Sequence, residues 1–314
     1  MKVLLITQYK ENILNNTLPS DGRLYRHYET YHHAVYNALI RNNYEVCILD
    51  GTEPDFEQQI KIADVVFPIR HDFGYINGDL NVRLICHKHN KKCVGNTSYS
   101  KFYDTDKIVG KLLAQTLHIE TPRYCMPYAI SDIPFDPPYI IKPRFFDSSQ
   151  DILPSRVVKS IDRLKDELRE IQNLNRFFIE EYIYGVTATI ACLNYGNNFI
   201  FSHPYTLKSK TNKQVITFED KRIGNTEREY IQNEKLILTM KEIAKRYFVA
   251  VQPCQIGRID FMLTQDNRLY FLEINTTPNL GQTNGVTVSY VNDFFGTYDN
   301  YIDYLVKSAI VLNK

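Results

Sequence analysis

The first 95 residues alternate between short apolar runs and segments with helical spacing of apolar positions. Runs of β-forming residues predict four strands, at residues 3–7, 44–49, 63–69 and 93–95. Helical spacing predicts three helices, at residues 28–41, 56–62 and 79–89. This alternation predicts a parallel sheet covered by helices, which we expect to form an α/β domain over residues 1–95. The connection at residues 8–17 reads as a loop without glycine, so the dinucleotide fingerprint is absent and NAD binding is not predicted.

The pattern changes beyond residue 95, where two further domains are expected, over residues 96–179 and 180–314. The predicted elements of the first are a helix at 103–117 capped by Asp104 or Thr105, a strand at 139–142 and a helix at 160–174. Those of the second are strands at 177–182, 187–194 and 198–203, a polar loop at 207–225, a helix at 227–247, a hairpin, and a last helix at 301–312. This C-terminal part therefore reads as α+β.

The predicted hairpin consists of two apolar segments, residues 256–263 and 269–275, each with polar side chains near its end. A two-residue loop at residues 266–267 suits Asp and Asn, which tolerate the positive φ of such turns. Counting back from that loop places Asp260 directly opposite Glu273. Two carboxylates that face each other across a sheet repel, so a positive group is expected between them.

The same count places Arg258 opposite Asn275, on the face that Glu273 shares. Asp260, Glu273 and Asn275 offer oxygen donors only, the ligands that Mg²⁺ prefers. The hairpin therefore predicts a magnesium site. Spacing alone leaves open the alternative of an ordinary hairpin whose acids are exposed or neutralised by Arg258.

The balance of charges adds little, because 37 basic and 36 acidic residues leave a net charge of +1. That balance favours neither nucleic acid nor membranes as a partner, and no apolar run approaches the roughly 18 residues of a membrane span. The apolar run at the start is too short for a signal peptide, so we expect a cytoplasmic protein. Six scattered cysteines are expected to be reduced thiols. Residues 86–93 read as a helix entering a strand rather than as a zinc site.

Several upstream segments could contact a nucleotide, although each also fits an ordinary solvated loop or strand end. Lys142 ends a buried strand, where an anion would offset its desolvation. Ser148 and Ser149 follow in a polar loop that could hold phosphate oxygens. Residues 180–183 end a strand that could read an adenine edge, and the lysine-rich loop at 207–213 could close over a triphosphate.

The order of these segments resembles the ATP-grasp superfamily, and more closely its D-alanine–D-alanine ligase branch. The densest match runs from Gly257 to Pro278 and reads Arg-x-Asp…Glu-x-Asn-x-x-Pro. Weaker matches lie at Asp106-Lys107, at Ile141-Lys142-Pro143 with the two serines, at residues 178–185 and at residues 68–71. The resemblance spans nearly the whole chain.

It implies an ATP-grasp fold, with a Rossmann-like N-terminal domain, a small central domain and a C-terminal catalytic domain built on a mixed sheet. It also implies a ligase in which ATP phosphorylates a carboxylate and an amine then displaces the phosphate. The residues it assigns are Asp260, Glu273 and Asn275 to Mg²⁺ or Mn²⁺; Lys107, Lys142 and Ser149 to the ATP phosphates; Glu180, Glu181, Tyr182 and Ile183 to adenine; Arg258, Lys210 and Ser148 to catalysis; and Glu29, His71, Asn279 and Asn284 to substrates.

The chain departs from the family pattern mainly on the substrate side. Asp147 and Asp151 stand where the serine loop has glycines, Thr187 stands at the ribose carboxylate, and Asn284 replaces a serine. We therefore expect small carboxylate and amine substrates other than those of the cell-wall enzyme, and the resemblance implies a homodimer. A nucleotide-binding protein without turnover and a small-molecule kinase are the alternatives.

Overall fold

The structure, a computed structural model, describes residues 1–20, 30–50, 53–69, 78–128, 133–145, 153–196, 198–211, 213 and 215–312. Three sheets follow one another along the chain in this part. No helix within it has the length and apolar character needed to cross a membrane.

The N-terminal sheet is parallel, with strand order β2-β1-β3-β4, as the alternating pattern predicted. Its elements are β1 (Lys2–Ile6), α1 (Lys10–Leu14), α2 (Tyr31–Arg41), β2 (Glu45–Leu49), α3 (Phe56–Ile62), β3 (Val65–Pro68), α4 (Gly78–Lys88) and β4 (Lys92–Cys93). The short helix α1 was not predicted and replaces part of the expected loop at 8–17. Cys86 is buried in α4 and Cys93 in β4, and all six cysteines are free thiols, as expected.

The central sheet is antiparallel, with strand order β5-β8-β6-β7. The elements of this part are α5 (Ser98–Thr105), α6 (Lys107–Thr116), β5 (Tyr124–Cys125), β6 (Tyr139–Pro143), β7 (Val157–Val158), α7 (Ile161–Arg169) and β8 (Phe177–Glu181). The single helix predicted at 103–117 is wrong, and so are its proposed caps. The extended backbone of Asp106 breaks it, and the Asp106 side chain caps α6 by accepting from the Ile108 amide at 3.0 Å.

The C-terminal sheet has the order β12-β11-β9-β13-β14, with β10 paired to β9. The elements of this part are β9 (Val186–Tyr195), β10 (Asn198–Phe201), β11 (Tyr205–Ser209), α8 (Phe218–Arg222), β12 (Thr226–Tyr230), α9 (Glu234–Ala250), β13 (Ile256–Leu263), β14 (Leu269–Asn275), α10 (Gly285–Tyr290), a π-helical turn (Val291–Phe295) and α11 (Tyr298–Leu312). A mixed sheet was expected, but every described pairing in this sheet is antiparallel. Each strand runs opposite to its neighbours in the sheet.

The helix predicted at 227–247 is wrong at its start. Residues 226–230 instead form β12, which pairs with β11. Within the expected polar loop at 207–225, the first three residues belong to β11 and residues 218–222 form α8. Asn233 then caps α9. The three sheets follow the order of the three predicted domains, but the domain boundaries stay a prediction. Strand β8 crosses the predicted boundary between residues 179 and 180.

Helix α9 covers one face of the C-terminal sheet and fixes which face remains polar. Its Tyr247 ring stacks on Phe271 of β14, with centroids 4.6 Å apart. The Tyr247 hydroxyl donates to the Gly110 carbonyl of α6 at 3.0 Å. A Cβ at Gly110 would lie 2.9 Å from the Tyr103 carbonyl oxygen, so this close approach requires glycine. The core thus locks α6 against the hairpin β13–β14.

Candidate functional site

The hairpin β13–β14 has the predicted pairing at its polar end, with Asp260 opposite Glu273 and Arg258 opposite Asn275. The predicted two-residue loop is wrong. Only Asn267 has a positive φ, 63°, and the Thr264 amide donates to the Arg268 carbonyl at 3.0 Å, which leaves a three-residue loop.

A bulge corrects the resulting one-residue offset. Phe261 pairs with Phe271 and Asp260 pairs with Glu273, so Leu272 is the extra residue. The bulge lets Phe271 enter the core under α9, whereas Glu273 lies on the opposite face.

A row of directly paired residues crosses that opposite face, which we call the polar face. The row consists of Tyr230, Tyr205, Thr189, Asp260 and Glu273, one from each strand in the order β12-β11-β9-β13-β14. The Thr189 hydroxyl donates to Asp260 Oδ1 at 2.8 Å. The sheet therefore presents its two carboxylates next to each other on one surface.

Arg258 neutralises Asp260 in this structure. Arg258 Nη2 lies 2.8 Å from Asp260 Oδ2, and Nε lies 3.1 Å from Oδ1. Burial opposes the charge on Arg258, but Asp260 outweighs it and raises the pKa of Arg258. This is the neutralised pair that the sequence left open as an alternative to a metal site.

Glu273 is balanced by Lys107, the first residue of α6. Lys107 Nζ lies 3.2 Å from Glu273 Oε2. Asn275 Oδ1 accepts from the Thr277 amide at 3.0 Å. Each carboxylate of the pair thus has its own cation. The carboxylates of Asp260 and Glu273 and the amide of Asn275 together offer oxygen donors, the ligands that Mg²⁺ favours. The residues present fit a magnesium ion.

A second charged group lies between α6 and the central sheet, and its Glu180 and Lys111 are fully buried. Glu180 of β8 contacts Lys111 Nζ at 2.7 Å and also the ammonium of Lys142. Burial opposes ionisation of Glu180, but the two lysines outweigh it and lower its pKa. Burial likewise lowers the pKa of Lys111, against the attraction of Glu180. Sequence reasoning missed Lys111, although its position four residues after Lys107 places both on one face of α6.

The predicted adenine-binding segment lies at the end of β8. Glu181 pairs with Arg123, with Nε 2.9 Å from Oε2. The Tyr182 amide donates to the Pro138 carbonyl at 2.9 Å. This bond continues the pairing of β8 with β6 and holds the segment 180–183 beside the start of β6. Ile183 follows and is partly exposed.

Other predicted residues have local partners. Lys210 Nζ donates to the Gly224 carbonyl at 2.9 Å, and among the described residues it has no contact with another candidate. Asn279 Oδ1 accepts from the Gly281 amide at 2.7 Å, and Asn284 caps α10 through the Val286 amide at 3.0 Å. Four candidates lie outside the described residues: Glu29, His71, Ser148 and Ser149.

A buried charged cluster, also missed from the sequence, holds the turn after Asn275. It comprises Asp79 and Arg83 of α4 and Lys101 and Asp104 of α5. Asp104 Oδ2 accepts from the Thr276 amide at 2.8 Å, and Asp79 Oδ2 accepts from the Thr277 hydroxyl at 2.9 Å. The i,i+3 and i,i+4 spacings were the only sequence signal. Because the Thr277 amide bonds Asn275, the cluster supports a predicted metal ligand.

Known proteins share this fold and this chain's sequence pattern. A family model described as D-ala D-ala ligase C-terminus matches residues 133–304, more than half of the chain. A D-alanine–D-alanine ligase of Petrotoga mobilis is 26% identical over 287 residues, covering 88% of this chain and 91% of the relative. One of Thermotoga maritima is 26% identical over 289 residues, covering 88% and 90%.

Solved structures of D-alanine–D-alanine and D-Ala:D-Ser ligases share the fold. A D-alanine–D-alanine ligase of Bacillus anthracis complexed with ATP has a TM-score of 0.73 at 17% identity, covering 100% of this chain and 98% of that chain. The VanG D-Ala:D-Ser ligase of Enterococcus faecalis has a TM-score of 0.68 at 16% identity, covering 98% and 99%. The fold is therefore ATP-grasp. With the family match over residues 133–304, these likenesses show that the chain belongs to the D-alanine–D-alanine ligase family of ATP-dependent carboxylate–amine ligases.

Proposed function

We propose that this chain joins the carboxylate of one small amino-acid-like substrate to the amine of another through an acyl phosphate. A carboxylate oxygen attacks the γ-phosphorus of ATP, and ADP leaves. The amine then attacks the acyl carbon, loses a proton, and phosphate departs with one of the original carboxylate oxygens. The observation that carries the proposal is the polar face, where Asp260 and Glu273 are each balanced by a cation. The charged group of Glu180, Lys111 and Lys142 lies on the neighbouring side of α6.

The metal site is proposed at Asp260, Glu273 and Asn275. A bound Mg²⁺ would supply neutralisation of phosphate charge there. Lys107 and Arg258 offset the two carboxylates in this structure. Both side chains are long enough to exchange a carboxylate for another anion, so we assign Lys107 to the ATP phosphates and Arg258 to the oxyanion formed when the amine attacks.

The remaining assignments follow the family resemblance. Lys142 and Ser149 are proposed to contact phosphates, and Ser148 and Lys210 to assist the transfer. The segment 180–183 is proposed to bind adenine. In this structure Glu180 is engaged by two lysines, so its contribution is to hold Lys142 in place beside the nucleotide. Four residues are proposed substrate contacts: Glu29, His71, Asn279 and Asn284.

D-alanine is the first substrate to test, because the relatives named above are D-alanine–D-alanine and D-Ala:D-Ser ligases. The sequence-based expectation of other substrates gains no support from those names and stays a prediction. The homodimer and the cytoplasmic location also stay predictions.

The test is incubation with Mg²⁺, ATP and a panel of D- and L-amino acids whose carboxylates carry ¹⁸O. We expect ADP, a product lighter by one water than its two parts, and ¹⁸O in the released phosphate. A phosphorylated product without an amide would instead show a kinase. Nucleotide binding without turnover across the panel would point to a binding protein. Amide formation with unlabelled phosphate would exclude the acyl-phosphate intermediate but leave the ligase function standing.

A further inference from the structure

The carboxylate of Glu180 is shared by two lysines, each at one of its oxygens. Lys111 Nζ lies 2.7 Å from Oε2, and the ammonium of Lys142 contacts Oε1. The side chains of Lys111 and Glu180 are each 1% exposed. Among the residues that the structure describes, no second acid forms an ion pair with either lysine. The group therefore holds two cations against one anion.

The two lysines differ in how firmly they are held. Lys111 comes from the middle of α6 and also donates to the Thr121 hydroxyl at 2.9 Å. Thr121 in turn donates to the Phe271 carbonyl at 3.0 Å, which ties Lys111 to the core beneath β14. The Lys142 side chain is 14% exposed, and within the described ranges it contacts Glu180 alone. Lys142 is therefore the lysine that can leave the carboxylate.

The departure of Lys142 would be costly if it left Glu180 alone. An ionised carboxylate that loses its partner in a buried site is strongly disfavoured. Glu180 keeps Lys111, however, so its charge stays neutralised when Lys142 binds another anion. Two lysines on one buried carboxylate thus form an arrangement from which one lysine can be released.

Helix α6 keeps Lys111 in its position. The core locks this helix against the hairpin β13–β14, where the Tyr247 hydroxyl donates to the Gly110 carbonyl at 3.0 Å. Burial lowers the pKa of Lys111, and the charges of Glu180 and Glu273 oppose that shift. Lys111 is thus held by its helix and by its acidic surroundings, independently of what Lys142 contacts.

We propose that Lys111 is a positioning residue for ATP, which balances the charge of Glu180 so that Lys142 can leave that carboxylate and bind a nucleotide phosphate. This inference rests on the assignment of Lys142 to the ATP phosphates in the proposed function. It makes the affinity for ATP depend on a buried side chain to which the family resemblance assigned no role.

The test is isothermal titration calorimetry with Mg²⁺ and a non-hydrolysable ATP analogue, without amino acids, so that affinity is measured apart from turnover. We expect the Kd of the analogue to rise about ten- to a hundredfold in Lys111→Gln, because Glu180 then retains Lys142. The Kd of adenosine, which has no phosphate, should be unchanged. Adding Glu180→Gln removes the retaining charge, so the double variant should bind the analogue within about threefold of the wild type.

Two further variants complete the comparison. Lys235→Gln, an exposed lysine of α9, is the matched control and should leave both Kd values unchanged. Lys142→Met should weaken binding of the analogue, because the phosphate contact itself is lost. The double variant leaves no buried acid without its cation, so it decides the matter even if Lys111→Gln does not fold.

The outcomes separate this inference from the function on which it rests. An equal loss of affinity for adenosine and for the analogue in Lys111→Gln would show a purely structural role and overturn the inference alone. So would an unchanged Kd of the analogue in Lys111→Gln when Lys142→Met weakens binding. Wild-type affinity in Lys142→Met would overturn the assignment of Lys142 and this inference with it. The ligase function is decided separately, by amide formation from the amino-acid panel.

Discussion

Replacing Lys101 with methionine tests whether the buried cluster stabilises the site. Lys101 Nζ lies 2.7 Å from Asp104 Oδ2 and 3.1 Å from Asp79 Oδ2, and it donates to the Thr277 hydroxyl at 2.9 Å. Asp79 would keep Arg83, 3.2 Å away, whereas among the described residues Asp104 would keep only its hydrogen bonds from Thr276. The variant thus leaves a buried carboxylate without its cation.

The expected cost follows from burial. Removing one member of a buried ion pair destabilises a protein by about 3–5 kcal/mol, and the Thr276 donors favour the lower end of that range. With an unfolding entropy of about 2.1 cal/mol/K per residue, a chain of this length loses roughly 1.5 °C per kcal/mol. We therefore expect Lys101→Met to lower the thermal midpoint by roughly 4–5 °C.

Differential scanning calorimetry at pH 7 measures this shift. Lys208→Met is the control, because its side chain and that of Glu229 are 47% and 67% exposed and such pairs contribute about 0–1 kcal/mol. Adding Asp104→Asn to Lys101→Met should recover part of the loss, since the unpaired charge carries most of the cost. A midpoint within about 1 °C of the control variant would refute the reasoning.

The remaining predictions concern catalysis and pH. Glu273→Gln should reduce amide formation to background with an unchanged thermal midpoint; a near-normal rate in the phosphate-release assay would remove Glu273 from the metal site. Arg258→Ala should bind ATP but lose about 10²–10³-fold in kcat, as for other oxyanion donors, and an unchanged product yield would contradict that role. Burial opposes ionisation of Asp104, but Lys101 and Thr276 outweigh it and lower the pKa of Asp104. The stabilisation by ionised Asp104 is therefore complete above the unfolded pKa of about 4 and is lost as the pH falls further. The midpoint difference between wild type and Asp104→Asn should stay constant above about pH 4 and shrink as the pH falls from roughly 4 to 2; a difference that does not shrink over that range would contradict this reasoning.

Much of the fold could be predicted because apolar periodicity reports burial directly. The N-terminal strands and helices lie close to their expected positions, since most of them contribute apolar side chains to the core. Periodicity failed at Asp106, where helical spacing continues through a break made by one extended residue. It also failed at Thr226–Tyr230, because this strand is polar and its pairing with β11 decides its structure.

The candidate site could be predicted in part for the same reason. Side-chain alternation on a strand fixes which residues share a face, so the pairing of Asp260 with Glu273 follows from local sequence. The buried cluster could not be predicted, because Asp104 and Thr276 are 172 residues apart. Only the packing of α5 and α6 against β14 brings such partners together.

The bulge at Leu272 also separates core packing at the loop end of the hairpin from the pairing of the acids at its other end. A two-residue loop with straight strands and a three-residue loop with a bulge both put Asp260 opposite Glu273, but they assign different residues of β14 to the protein interior. The loop at residues 265–267 can therefore change in length without altering the pairing of Asp260 with Glu273, as long as a bulge between the loop and the acids compensates. Insertions in this loop should accordingly disturb the packing around Phe271 first and leave the pairing of the two acids unchanged.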